Sequence, residues 1–434
     1  MCLRLLFCAI CYIICYEITL IEAIITQKVW LIQRKALPLH RQNPPRFPLT
    51  SEPGRVFYFY DDMNIYTKQP LSIADQIARL KAQGLVINDE ELATKILGEV
   101  SYFRFAAYLR PMEADKQTHQ FKSGSTFENA IALYEFDNAL RQLLFTAIQR
   151  IEVALRSKII QHFSMRHGAF WFMQMPLHDS EHRFLENLGA LDREVSRSKE
   201  DFIKEHFRNY DKPEFPPAWK TLELASFGTL SKLYYNFADK KVKKLVAREF
   251  NLPQHEVLES WMRSLSALRN HCAHHARLWN RYLNATPQMN AHMRGNWITN
   301  RQIDANKLYA VLCCIVYWLD AMNRGDDFRS RFNQLLADYP SVDTAAMGFP
   351  LEWEDEPVWK GYPNDATPTE ICAMKGHEPL YNHSSQPTKA ICRRCHQKWI
   401  ADYSGDILHD DIWKKVDSFE GDTRTDEELI AKWC

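Results

Sequence analysis

The stretch from residue 127 to residue 165 constrains the fold of this chain more than any other. Apolar residues recur there at every third or fourth position, which predicts one long α-helix with a continuous apolar face. That face consists of Leu133, Phe136, Leu140, Leu144, Ala147, Ile151 and Leu155. On the same predicted helix Glu152 and Arg156 are four residues apart, a spacing that favours an ion pair.

The same periodicity predicts shorter helices before and after the long one. Asp89 is a suitable N-cap for one of them, and Gly84 is a suitable residue at the end of another. The predicted helices cover 71–85, 89–98, 181–207, 218–238, 239–249, 254–282 and 303–323. No long alternating pattern typical of β-strands occurs between residues 63 and 345, so the main domain is expected to be all-α.

Charge balance and glycine content exclude some classes of protein. Lys plus Arg and Asp plus Glu both number 54, so the formal net charge is zero. A histone-like polycation is therefore excluded, although a local basic patch is not. The 14 glycines argue against a glycine-rich nucleotide-binding fold and against an all-β barrel.

The sequence divides into four predicted parts. They are an N-terminal extension over 1–62, a helical domain over 63–362, a small metal-binding unit over 363–402 and an acidic tail over 403–434. Within the extension, residues 5–25 are apolar enough and long enough for a bilayer span. Two interpretations are open: these residues are a membrane anchor, or the extension is not native and the protein starts at Met63.

The cysteines are too unevenly spaced for a disulfide framework. Four of the 11 lie within the first 15 residues, and none lies between residues 16 and 271. Cysteines that stay reduced are typical of the cytosol, which predicts a cytoplasmic protein. The membrane-anchored alternative applies if residues 5–25 are native.

The segment 261–281 carries the residues most typical of an active site. On the helix predicted over 254–282, four polar residues form a stripe directly opposite an apolar one. The polar stripe consists of Asn270, His274, Arg277 and Arg281. Arg269 precedes the stripe and forms an Arg-x4-His motif with His274. The stripe is expected on a surface, in a cleft or at a subunit interface.

Arg269 and His274 could together cleave RNA without a metal ion. A guanidinium group binds phosphate oxygens, and a histidine takes or gives a proton near neutral pH. His274 would deprotonate the 2′-hydroxyl or protonate the leaving oxygen, Arg269 would stabilise the phosphorane, and Asn270 would orient the histidine or the phosphate. His271 and His275 are alternatives to His274. A solvated helix face with a structural histidine is the alternative to catalysis.

A second candidate site follows the helical domain. A Cys-x4-His pair and a Cys-x2-Cys pair, separated by a loop, have the spacing of a tetrahedral structural zinc site. The predicted ligands are Cys372, His377, Cys392 and Cys395. His383 and His396 are candidate substitutes, and an unmetallated reduced pair is the alternative. A catalytic zinc is not expected, because four protein ligands leave no open coordination position.

Six stretches of the chain together resemble one protein family. They are KQPLSIADQIARLKAQGLVI (68–87), VSYFRFAAYLRPM (100–112), FENAIALYEFDNALRQLLFTAIQRIEVALRSKI (127–159), PPAWKTLELASFGTLSKLY (216–234), LRNHCAHHARLWNR (268–281) and MGFPLEW (347–353). In this order they are similar to the Abi family of bacterial abortive-infection proteins, of the AbiD/AbiF type. The resemblance covers about two-thirds of the chain and says nothing of residues beyond about 362.

The resemblance implies a phage-defence protein with a helical HEPN-type domain. Such domains are commonly metal-independent ribonucleases that dimerise around two Arg-x4–6-His motifs, which here fall on Arg269, Asn270 and His274. The further residues expected to contact RNA are Arg277, Arg281, Glu152 and Arg156. An antitoxin protein or small RNA is an expected partner, zinc is expected only as a structural ion, and no small-molecule substrate is expected. The alternative function is a non-catalytic RNA- or partner-binding defence protein with a zinc-ribbon sensor module.

Overall fold

The structure is a computed structural model that describes most of the chain from residue 68 onwards. The described residues are 68–289, 292, 293, 295–361, 369, 372, 379–381, 389–392, 395–401 and 413–433. The predicted anchor at 5–25, the start at Met63 and the candidate ligands His377 and His383 lie outside them. None of the helices in the described residues combines the length and the hydropathy that a membrane span needs.

The helical part begins with three short helices and a hairpin, followed by one long helix and a series of shorter ones. Ser72, Asp89 and Thr126 each cap a helix by accepting a hydrogen bond from a backbone N–H three residues later. The helices are α1 Ile73–Ala82, α2 Glu90–Val100, α3 Tyr102–Leu109, α4 Phe127–His167, α5 Glu181–Arg197, α6 Asp201–Asn209, α7 Ala218–Thr221, α8 Phe227–Asn236, α9 Lys240–Arg248, α10 His255–Ala273, α11 Leu308–Ala321, α12 Gly325–Asp338 and α13 Pro357–Lys360. The hairpin pairs β1 Glu113–Asp115 with β2 Gln120–Phe121.

The long helix α4 organises the helical part, as its apolar periodicity predicts. It packs against α3, α9, α10, α11 and α12, and its apolar face from Phe136 to Phe163 is buried in the main core. Phe127 and Ala130, at its start, belong instead to a smaller core shared with α1, α2 and α3. The helix α11 is buried on all sides from Leu308 to Asp320, as expected of a helix that is apolar all round.

Three of the predicted helices are shorter or more divided than their periodicity indicated. The stretch 181–207 contains α5 and α6, with a break at Ser198, and the stretch 218–238 contains α7 and α8. In the second case Ser226 caps a new helix by accepting from the backbone N–H of Thr229. The helix predicted over 254–282 ends at Ala273, and the reason for that end is a contact described below.

The C-terminal part is an antiparallel sheet with a helix rather than an all-α structure. Its strands, in spatial order, are β3 Pro379–Tyr381, β4 Lys389–Cys392, β5 Lys398–Ala401 and β6 Trp413–Val416, followed by α14 Asp426–Trp433. Ile391, Phe419 and Leu429 form its small core. The strand β6 pairs with β5, so the sheet includes residues on both sides of the boundary expected at residue 402.

Candidate functional site

The Arg-x4-His motif lies at the C-terminal end of α10. His274 is the C-cap residue, and His275 adopts a left-handed conformation with φ +53°. The backbone N–H of Ala276 donates to His271 O over 2.9 Å, and that of His275 donates to Cys272 O over 3.1 Å. This pair of bonds is a Schellman motif, which ends an α-helix and turns the chain away from its axis.

Asp137 of α4 holds the chain that follows this turn. Its side chain is fully buried, and its carboxylate accepts the backbone N–H of Leu278 over 3.1 Å and that of Trp279 over 2.6 Å. The hydroxyl of Tyr108 donates to it over 2.7 Å, and Arg141 forms an ion pair with it. Burial and the charge of Asp137 raise the pKa of Tyr108, so the hydroxyl keeps its proton. A buried carboxylate is tolerated when it is paired and hydrogen-bonded in this way.

Two arginines attach the same loop to α3. Arg104 donates from Nη1 to the carbonyl oxygen of His275 over 2.6 Å. In the opposite direction, Nη1 of Arg277 is 3.4 Å from the carbonyl oxygen of Ala107. The backbone that carries His274 and His275 is therefore held from α3 as well as from α4.

The predicted polar stripe is only partly present. Asn270 and His274 are both exposed on α10, as expected. The prediction that the stripe continues to Arg277 and Arg281 is wrong, because the helix stops before them. Arg277 is half-buried, and burial lowers the pKa of its guanidinium; Arg281 donates to the carbonyl oxygen of Arg277 over 3.1 Å. Periodicity did not reveal this end, since the anchoring carboxylate is 141 residues from Leu278 in sequence.

Arg269 of the motif lies between Asn270 and the long helix α4. Nη1 of Arg269 is 3.5 Å from Oδ1 of Asn270, and its guanidinium lies 5.7 Å from the ring centre of Phe145 on α4. Contact with an aromatic ring limits the orientations of a guanidinium without neutralising its charge. The backbone N–H of His274 donates to Asn270 O over 3.0 Å, which fixes the histidine one turn beyond Asn270.

The two alternative histidines have different surroundings. His271 is half-buried, and burial, followed by the charges of Arg281 and His274, lowers its pKa. At neutral pH it is therefore an uncharged imidazole next to the motif. His275 is exposed, but its backbone is the left-handed position of the turn and its carbonyl oxygen bonds to Arg104.

Glu152 and Arg156 form a buried pair and not a helix-surface pair. Arg156 donates to Glu152 Oε1 over 2.8 Å and also to the carbonyl oxygens of Glu223 and Ala225, over 2.6 and 2.9 Å. Burial raises the pKa of Glu152, opposed by the charges of Arg156 and Arg269. The pair thus fixes the loop before α8 on α4, next to Arg269 of the motif.

Three of the four predicted zinc ligands converge in the C-terminal part. The Sγ atoms of Cys372, Cys392 and Cys395 all lie within 4.8 Å of one another, and those of Cys372 and Cys392 are 3.6 Å apart. Two thiolates bound tetrahedrally to zinc at ~2.3 Å would be about 3.8 Å apart. Burial, together with hydrogen bonds and charges of the other two thiols, raises the pKa of Cys372 to about 12. His396 instead lies beside Asp426, with 3.6 Å between Nδ1 and Oδ2.

Comparison with known families gives one match. Residues 95–280 match the model of a family described as Abi-like protein. This region of the chain is Abi-like. The matched region contains α4, α10, Asp137 and the whole motif, and it ends before the cysteine cluster. No curated protein and no solved structure matches the chain. The resemblance to the Abi family is confirmed, whereas the AbiD/AbiF type and the HEPN domain stay predictions.

Sequence reasoning missed Asp137 and Arg104. A signal for the first was present, because Asp137 and Arg141 have the same four-residue spacing as Glu152 and Arg156 on the same predicted helix. An acidic residue next to the apolar face is unusual enough to suggest a buried partner. No comparable signal exists for Arg104, whose partner is a backbone carbonyl.

Proposed function

We propose that this Abi-like protein acts in abortive infection as a metal-independent endoribonuclease in the cytoplasm. The observation that carries the proposal is the position of His274. It is exposed at a helix end that Asp137 and Arg104 hold in place, four residues after Asn270, whose side chain lies beside the guanidinium of Arg269. A proton-transferring group next to a fixed positive charge is what cleavage of a phosphodiester by its own 2′-hydroxyl needs.

The proposed reaction uses the ribose of the substrate as the nucleophile. The 2′-oxygen attacks phosphorus and gives its proton to a base, and the 5′-oxygen of the next nucleotide leaves with a proton from an acid. The products are a 2′,3′-cyclic phosphate and a 5′-hydroxyl. Arg269 stabilises the charge that develops on the phosphorane oxygens, and Asn270 orients the phosphate. His274 serves as the base or the acid.

The chemistry favours a dimer. One histidine supplies one of the two proton transfers, and a second copy of the chain would supply the other through its own His274. The side chains of Asn270 and His274 are exposed, so this end of α10 is open to a partner. We therefore propose a homodimer in which two motifs face one RNA cleft, restrained by an antitoxin protein or a small RNA.

We also propose a structural zinc ion in the C-terminal part. Cys372, Cys392 and Cys395 would supply three thiolates, and His377 would be the fourth ligand. The backbone N–H of Cys395 points at Sγ of Cys392 over 3.5 Å, an arrangement that stabilises a thiolate. The zinc would stabilise a sheet whose own core is small, and it would take no part in RNA cleavage.

The test is RNA cleavage by the purified full-length protein and by an Arg269→Ala/His274→Ala double variant. The expected result is cleavage without added metal that leaves a 2′,3′-cyclic phosphate and disappears in the double variant. His182→Ala, which removes another exposed histidine, is the matched control and should cut normally. A folded wild type that binds RNA but never cuts it would favour the non-catalytic alternative.

A further inference from the structure

A large cleft lies beside the N-terminal two-thirds of α10. It has a volume of about 750 Å³ and is formed by α5, α8, α10 and the segment 286–288. The volume is in the range of ~300–1,000 Å³ that is usual for sites of small molecules and single nucleotides. The residues of α10 that line it include Glu256, Ser260 and Arg263.

These lining residues share one face of α10 with Asn270 and His274 of the motif, whereas Arg269 lies about 120° around the helix from Arg263. Arg263 precedes Asn270 by seven residues and His274 by eleven, which at 100° per residue places all three within about 20° of one direction. Glu256 precedes His274 by eighteen residues, a whole number of helical turns. Arg263 is about 10 Å from Asn270 along the helix axis. A strand held in the cleft can therefore follow this face of α10 toward Asn270 and His274.

The cleft has cations that no carboxylate neutralises. Among the described residues, Arg183, Lys232 and Arg263 line the cleft and form no ion pair. Arg183 lies over the ring of Tyr235, 5.1 Å from its centre, and Tyr235 is itself 48% exposed in the wall. Cations beside an exposed aromatic ring are the usual means of holding the phosphates and bases of a single strand.

Three carboxylates line the wall, and one of them, Glu186, is exposed to solvent. Glu259 forms an ion pair with the buried Lys243, with 2.6 Å between Oε1 and Nζ, and so adds no net charge to the cleft. Glu256 is beside His255, and because burial lowers the pKa of that histidine, the charge of Glu256 stays uncompensated at neutral pH. A carboxylate in this position can accept hydrogen bonds from the amino group of a nucleobase. The buried amide nitrogen of Asn187, in the same wall, has no acceptor among the described residues.

We propose that this cleft binds a nucleoside phosphate unit of an RNA strand that runs along α10 to His274. Lys232, Arg183 and Arg263 hold phosphate, the ring of Tyr235 contacts a base, and Glu256 accepts from an exocyclic amino group. The inference rests on the proposed function, since it gives the cleft the role of a substrate subsite about two nucleotides from the reacting phosphate. A free nucleotide offers the same phosphate and base as an RNA strand, and the experiment below distinguishes these two ligands.

The experiment measures binding of a single-stranded RNA about 12 nucleotides long, with every ribose 2′-O-methylated so that it cannot be cut. Lys232→Glu and Arg263→Glu in the full-length protein are each expected to weaken binding about tenfold. Each lost phosphate contact should also reduce the slope of log affinity against log salt by about 0.7. Lys95→Glu, a charge reversal on an exposed residue of α2 outside the cleft, is the control and should bind like the wild type.

Further variants and ligands separate the alternatives. Arg263→Lys keeps the charge and should retain most of the affinity. Adenosine and uridine monophosphates should compete with the oligonucleotide only weakly, because one phosphate makes fewer contacts than several. If a mononucleotide fills the cleft while both charge reversals leave RNA binding unchanged, the RNA subsite is overturned. A loss of binding that coincides with a changed oligomeric state also overturns it, because the cleft would then be a subunit interface.

The two proposals fail in distinguishable ways. His274→Ala should abolish cleavage of unmodified RNA and leave binding of the methylated RNA unchanged. A wild type that does not cut, with RNA binding weakened by Lys232→Glu, would remove the nuclease proposal and keep the subsite. Normal cutting and binding by both charge-reversal variants would remove the subsite and keep the nuclease.

Discussion

The end of α10 lies against a large helical core, whereas the C-terminal sheet has a core of its own made of Ile391, Phe419 and Leu429. The first region is fixed by a buried carboxylate that accepts from two backbone N–H groups, a tyrosine and an arginine. The second brings three cysteine sulfurs together beside its short strands. A large core can hold one strongly bonded charge in place, while a small sheet needs a cross-link such as a metal ion.

Removal of the proposed zinc ion is expected to produce the largest difference in folding between the two regions. Binding of zinc to small cysteine sites is worth about 10–16 kcal/mol in apparent free energy, so a chelator should unfold the C-terminal sheet while the helical part stays folded. Hydrogen exchange of β3–β6 and of α4, with and without chelator, measures this. Cys392→Ala should abolish zinc binding in elemental analysis, and Cys313→Ala, a buried cysteine of α11, should not. Equal protection of the sheet in both conditions would contradict the zinc proposal.

The next largest effect is expected from Asp137→Ala. The substitution leaves Arg141 and the backbone N–H groups of Leu278 and Trp279 without their partner in the core, which should lower the free energy of unfolding by about 3–5 kcal/mol. Urea denaturation followed by tryptophan fluorescence measures the loss. Glu91→Ala, at an exposed position of α2, is the control. Zinc content should not change, because none of the partners of Asp137 is a cysteine of the cluster.

Acid should destabilise the helical part through Glu249. Although burial raises the pKa of this carboxyl, hydrogen bonds from His162 and Lys158 and their charges lower it from 4.5 to about 2. A lowered pKa in the folded state means that the contribution is complete above 4.5 and is lost as the pH falls toward 2. Between about pH 6 and about pH 3 the loss should be about 1–2 kcal/mol, because the groups are partly exposed.

The matched variant for this titration is Glu249→Gln. It should be less stable than the wild type near neutral pH and should show a flatter dependence on acid. The free energy of unfolding, obtained from urea titrations at several pH values, decides the matter. Parallel curves for the variant and the wild type would assign the acid sensitivity to other carboxyl groups.

The smallest expected effect is that of Arg104→Ala. The guanidinium is exposed and its hydrogen bond to the carbonyl oxygen of His275 is one of several that hold the loop, so stability should fall by about 1 kcal/mol. The rate of RNA cleavage should fall by more than the loss of stability explains, because the bond positions His275, the residue next to His274. Arg79→Ala, on the exposed face of α1, should affect neither quantity. Equal cleavage by both variants would show that Asp137 alone positions the turn.

Much of the helical part could be predicted from the sequence. The helix α4 was expected over 127–165 and is observed over Phe127–His167, because its periodicity, its cap at Thr126 and its buried face all agree. The cap at Asp89 was predicted from the residue itself. The cap at Ser226 was not predicted, and it divides the stretch 218–238 that periodicity indicated as one helix. The grouping of Cys372, Cys392 and Cys395 followed from their spacing.

The sequence by itself determined the elements and the candidate chemistry: the long helix, the Arg269–His274 motif, the cysteine spacing and the resemblance to the Abi family. Local periodicity and short-range spacing carry that information because neighbouring residues on a helix or a turn meet in any fold. Only the tertiary structure decided where α10 ends, that Arg156 is buried, and that α5 and α8 form a cleft beside Arg263. Each of these depends on groups far apart in sequence, such as Asp137 and Leu278. The hydrogen bond between such groups becomes strong only when the folded core excludes water around it.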